Sequence, residues 1–74
     1  MTDKIDAVGL LCPLPVLKAR KALKSLQNGD VVELHADDPA AVVDVPHFCM
    51  EAGHALVDSR EAEGVQIYVI RKGG

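Results

Sequence analysis

The two prolines that bracket Leu14, Pro13 and Pro15, constrain the layout of this chain more than any other feature. A proline lacks a backbone N–H and locks φ, so it is excluded from sheet centres and helix interiors but suits a helix's first turn. Upstream, Ile5 and Ala7 alternate with polar Lys4 and Asp6, the pattern of a short strand ending at Gly9. Downstream, Val16, Ala19, Leu23 and Leu26 recur at three- and four-residue steps with Lys and Arg opposite, which predicts an amphipathic helix from Pro13 to about Gln27. The chain must turn from strand to helix between them, and Cys12 stands at that corner as the expected capping residue. The free N–H groups and positive dipole end of a helix start favour an anion, so a thiol there is expected to ionise more easily than a free one. Because Pro13 and Pro15 carry no donor, the Leu14 backbone N–H is the expected partner for sulfur, and only moderate activation is expected. The alternative role for Cys12 is that of a small apolar cap.

Beyond the first helix, Asn28, Gly29 and Asp30 supply a stop, and Val31, Val32, Leu34 and Ala36 read as a second strand. Asp37, Asp38 and Pro39 then open a second helix carrying Ala40, Val42, Val43, Phe48 and Met50. Pro46 is expected to bend that helix or divide it in two, and Gly53 to close it. Leu56 and Val57 begin a third strand, Glu63 and Gly64 make a turn, and Val65, Ile67, Val69 and Ile70 form a fourth, so the last two strands are expected to be a hairpin. The order β-α-β-α-β-β predicts an α/β two-layer sandwich, a four-stranded mixed sheet with two helices on one face. Residues 1–74 are expected to form a single domain, because a chain of 74 residues has room for one core.

Composition narrows the function classes. A net charge of −3, with Phe48 and Tyr68 the only aromatics, offers neither the basic surface nor the stacking platform that direct nucleic-acid binding needs. Yet Lys18, Arg20, Lys21 and Lys24, half of the eight basic residues, lie on the helix after Cys12. They are candidates for docking an acidic partner near the thiol, against the alternative of a merely solvated face. No apolar run is long enough to span a membrane, and the two widely separated cysteines, with no export signal, do not read as a disulfide framework. A cytoplasmic protein is therefore expected.

Asp6, Gly9, Cys12, Pro13 and Pro15, followed by the Asp37-Asp38-Pro39 corner and the Gly53-His54 ending, closely resemble the TusA-like sulfur carriers, also called the SirA family. The resemblance covers nearly the whole chain. It implies a cytoplasmic carrier that takes sulfane sulfur from a cysteine desulfurase or a rhodanese-like donor. It also implies that the persulfide-bearing cysteine falls on Cys12, and that sulfur is relayed to an acceptor protein, in one branch towards 2-thiouridine in tRNA. Family members often carry Arg before the glycine and a polar residue before the cysteine; here those places hold Val8 and Leu11, which makes the approach to the thiol more apolar.

The expected chemistry is attack of the Cys12 thiolate on the outer sulfur of a donor persulfide, then release of that sulfur to an acceptor thiolate. No Cys-x-x-Cys pair is present to suit an oxidoreductase. Cys49, between Phe48 and Met50, is expected to be a packed thiol, with a resolving thiol as its alternative. His47, Cys49 and His54 match no common zinc spacing, so neither a metal nor another cofactor is expected. Gly73 and Gly74 end the sequence as the double glycine of thiocarboxylate carriers does, but those carriers open with a hairpin, and a frayed end is expected here. A third reading is a non-catalytic interaction or regulatory module in which the basic helix docks a partner.

Overall fold

The computed structural model describes residues 3–73. Six elements follow one another: β1 (Asp3–Ala7), α1 (Leu14–Lys24), β2 (Val31–Ala36), α2 (Ala41–Ala52), β3 (Ala55–Ala62) and β4 (Val65–Arg71). The strands form one sheet in the order β1-β2-β4-β3. β1 runs parallel to β2, with Ile5 opposite Leu34, while β4 is antiparallel to both β2 and β3. The parallel pair requires a crossover, which α1 provides. The expected element order and mixed sheet are thus present.

One face of the sheet supplies the core. Ile5, Ala7, Val32, Leu34, Ala36, Tyr68 and Ile70 are buried together with Ala19 and Leu23 of α1 and Ala41, Val45, Phe48 and Cys49 of α2. Strand alternation accounts for this set: along β2 every second residue is fully enclosed and its neighbours are half-buried. Pro15 is also fully buried, so the proline read as a helix-start signal is at the same time a core residue.

Three local expectations are corrected. First, α1 starts at Leu14 with Pro13 as its cap, so Cys12 lies one residue outside the capping position. Second, α1 ends at Lys24 rather than near Gln27, because the Ser25 N–H and Oγ–H both donate to the Ala22 carbonyl and tighten the last turn; Leu26 still packs on the core. Third, Pro46 lies inside a continuous α2. The carbonyl it leaves without a donor is that of Val42, an exposed residue, so water can satisfy it. Gly53 closes α2 in the left-handed conformation, as expected from its lack of a Cβ. The β3–β4 hairpin turns on Glu63 and Gly64, both at positive φ (53° and 80°), the two-residue turn that matches strand twist.

Candidate functional site

The site is built at the corner between β1 and α1. After Ala7 the chain turns through Gly9, which has φ 86°, and the Leu10 N–H returns to the Ala7 carbonyl at 3.1 Å. Two adjacent acids from the far end of β2 then clamp this loop: Asp37 Oδ1 accepts the Gly9 N–H at 2.9 Å, and Asp38 Oδ2 accepts the Cys12 N–H at 2.5 Å. Asp38 Oδ1 also takes the Ala40 N–H at 3.1 Å, so one carboxylate joins the Cys12 loop to the start of α2. A buried chain anchors that corner from beneath. Tyr68 donates to Gln66 Oε1 at 2.6 Å, and Gln66 Nε2 donates to the Asp38 carbonyl at 3.0 Å. Gln66 is thus a buried polar residue with partners on both sides, the condition under which burial of an amide is tolerated.

Cys12 is exposed. Its thiol donates to Asp44 Oδ2 on α2, with Sγ 2.6 Å from oxygen. The expected partner is not used: the Leu14 N–H donates to the Leu11 carbonyl at 2.8 Å. The direction of the thiol's acidity is corrected with it. The hydrogen bond to Asp44 foremost, then desolvation and the charges of Asp44 and Asp38, raise the Cys12 pKa above the ordinary thiol value. A carboxylate beside a thiol opposes ionisation, and at the helix start the prolines carry no donor and the Leu14 N–H is taken by the Leu11 carbonyl.

An open groove of about 720 Å³ runs from Cys12 between α1 and α2 towards the C-terminal end of β4. Of the four basic residues expected near the thiol, Arg20 and Lys24 line it. Arg20 stacks over the Phe48 ring at 5.5 Å. Lys18 instead donates to the Asp6 carbonyl at 2.7 Å, and neither Lys18 nor Lys21 lines the groove. Pro13 borders the groove while Pro15 points into the core. Near Cys12 in the chain, Val8, Leu11 and Leu14 are exposed, Leu11 to 68%, so the apolar residues read at positions 8 and 11 do face solvent.

The remaining candidates fall elsewhere. Cys49 is 2% exposed, and burial pushes its thiol up to about 11. His47 pairs with Glu51 at 2.7 Å, and His54 Nδ1 accepts the Gly73 N–H at 3.2 Å. Burial and Lys72 lower the His54 pKa, consistent with a neutral ring accepting that bond. Among the described residues no group of His, Cys, Asp and Glu is arranged to hold a metal ion. No helix of the described residues is long and apolar enough to cross a membrane. Gly73 is held at His54, while Gly74 lies outside the described residues.

Sequence reasoning gave Asp44 no role at the site, and read Asp37 and Asp38 as a helix start and as part of the family resemblance, not as a clamp on the Cys12 loop. An acid in a helix's first turn is ordinary, so nothing local marks Asp44 as the partner of a thiol on another element.

Comparison with known proteins agrees with this architecture. The family model described as Sulfurtransferase TusA matches residues 3–72. Two proteins of Neisseria meningitidis, one from serogroup A and one from serogroup B, each named as a candidate sulfur carrier protein, are 43% identical over 70 residues, which is 95% of this chain and 95% of theirs. The crystal structure of a SirA-like protein from Desulfitobacterium hafniense superposes with a TM-score of 0.86 at 32% identity, covering 100% of both chains. With the family model spanning nearly its whole length, this chain belongs to the TusA family of sulfur-carrier sulfurtransferases.

Proposed function

We propose that the chain carries sulfane sulfur as a persulfide on Cys12 and relays it between a donor and an acceptor protein. The observation that supports this reading best is the contrast between the two thiols: Cys12 is exposed at the mouth of a groove, whereas Cys49 is sealed in the core. In loading, Cys12 sulfur attacks the outer sulfur of a donor persulfide, the donor's S–S bond breaks, and its electron pair leaves on the donor's inner sulfur, which takes up a proton. The sum converts Cys12–SH and donor–S–SH into Cys12–S–SH and donor–SH, with no external oxidant or reductant. Discharge repeats the exchange with an acceptor thiolate. Pro13, Pro15 and the Leu14 backbone shape the corner on which the sulfur is presented.

Exposed Leu11 and Leu14 beside Cys12, with Arg20 and Lys24 along the groove, suit a protein partner whose surface is apolar at the centre and acidic at the rim. Lys18 and Lys21 extend the same basic helix. A cysteine desulfurase or rhodanese-like enzyme fits as donor, and a further carrier leading to 2-thiouridine in tRNA, or another thiolated product, fits as acceptor. A reducing cytoplasm suits two unpaired thiols.

The test is incubation with a cysteine desulfurase and cysteine, followed by mass spectrometry. The wild-type chain gains one sulfur atom, and Cys12→Ser gains none. A Cys12→Ser protein loaded as fully as wild type refutes the proposal. Deleting Gly73 and Gly74 leaves loading unchanged; loss of loading on deletion would move the carrier atom to the C-terminal carboxylate.

A further inference from the structure

The Cys12–Asp44 contact has different consequences for the empty and the loaded carrier. Only a protonated thiol can donate to Asp44 Oδ2 at the observed 2.6 Å; a thiolate there would set two negative charges against each other. The empty carrier therefore keeps its proton and stays against α2. Once loaded, the inner sulfur has no hydrogen to donate. The outer S–S–H is more acidic than the original S–H, because the adjoining sulfur draws electron density from it, so its terminal sulfur is the more readily anionic of the two. An attraction to Asp44 is replaced by a repulsion.

We infer that Asp44 is a positioning residue that distinguishes the two states of the carrier: it holds the empty thiol protonated against α2 and turns the loaded persulfide outward, towards an acceptor. This rests on the carrier reading of Cys12. The other charged groups around the thiol do not replace Asp44. Asp38, from the β2–α2 turn, is spent on the Cys12 and Ala40 N–H groups and adds negative charge. Along the groove, Arg20 lies over Phe48, His47 is paired with Glu51, and Lys72 donates to the Leu26 carbonyl. Lys24 and His54 also line the groove, and neither is hydrogen-bonded to sulfur.

The experiment compares wild type with Asp44→Asn and Asp44→Ala, each confirmed folded by circular dichroism. In the empty, reduced proteins, iodoacetamide alkylation of the Cys12 peptide is followed across a pH series. Asparagine removes the charge and can donate to a thiolate, so the midpoint falls by about one pH unit, roughly tenfold more thiolate at neutral pH. After loading with inorganic polysulfide, which needs no protein donor, alkylation of the loaded Cys12 is compared with that of the empty one at neutral pH. The rate on the loaded protein itself falls several-fold in both variants even as that on the empty protein rises; a loaded rate equal to that of wild type overturns the outward-turning role. An unshifted midpoint in both variants overturns the inference while leaving the carrier reading intact. A shifted midpoint in proteins that never take sulfur on Cys12 overturns the carrier reading, and the load-sensing role with it.

Discussion

A thiol's reactivity is set by what surrounds it, and the two cysteines of this chain occupy opposite surroundings. Cys12 meets solvent and a carboxylate; Cys49 meets only the core. The sequence made the place of Cys12 legible because two prolines force the chain to turn there. It did not reveal the partner, since Asp44 arrives from a helix 32 positions away, and the local expectation of a helix-activated thiol gave the wrong direction. The burial of Cys49 was legible from Phe48 and Met50, although Met50 itself turned out to be exposed. Its thiol is raised from the ordinary 9.0 to about 11, so the folded state favours the neutral form. That contribution is fully present below pH 9.0, where the unfolded thiol is also protonated, and is lost as pH rises through about 11. Two pH units correspond to about 3 kcal/mol at most. Denaturant titrations are expected to show stability falling over this alkaline window, and the fall should be shallower in Cys49→Ala. Tyr68, whose pKa is also raised by burial, contributes in the same direction and remains in the variant.

At the scale of elements, all six segments were legible for different reasons: β1, β2 and α1 each bury one face and so repeat their apolar positions, whereas α2 was marked by the Asp37-Asp38-Pro39 corner and the last two strands by the Glu63-Gly64 turn, β3 itself being exposed along most of its length. Boundaries that depended on side-chain or solvent satisfaction were harder to read: the end of α1 is decided by Ser25, and the continuity of α2 through Pro46 depends on a carbonyl that faces water. The Asp37-Asp38 pair shows the same limit. Its position before a helix was evident, but its role in clamping the Gly9–Cys12 loop is a contact between β2 and the β1–α1 corner that no local pattern encodes. The hairpin turn carries the clearest local cost, for Glu63 adopts φ 53°, a region that disfavours a side chain of that kind. Asparagine is preferred at the first position of such a turn. Glu63→Asn is therefore expected to stabilise the fold by about 0.5–1 kcal/mol, a magnitude typical of turn residues matched to their backbone. Thermal unfolding checks it: an unchanged or lowered Tm contradicts the assignment of strain to this residue.

For the whole molecule, placing both helices on one face of the sheet brings a corner of β1–α1, the start of α2 and the end of β4 around one groove. Sequence order predicted this layering, and with it the exposure of Cys12. It did not predict that α1 would divide its basic residues, sending Arg20 and Lys24 to the groove and Lys18 to the β1 end. The net charge of −3 therefore coexists with two basic residues along the groove, Arg20 and Lys24, while the charges that act on the thiol itself, Asp44 and Asp38, are negative. Rim charges act mainly on encounter rates and are screened by salt. Lys24→Glu is expected to slow sulfur transfer from a protein donor several-fold at low ionic strength, with the difference shrinking as salt is added; a salt-independent defect would place Lys24 in some other role. The central claim, that one exposed thiol bears the cargo, is tested most directly by mapping the added sulfur. Wild-type protein loaded by a desulfurase, trapped by alkylation and digested, should carry the extra sulfur on the peptide containing Cys12 and lose it on addition of an acceptor thiol. Sulfur found on the Cys49 peptide or on the C-terminal glycine, with Cys12 bare, would contradict the account.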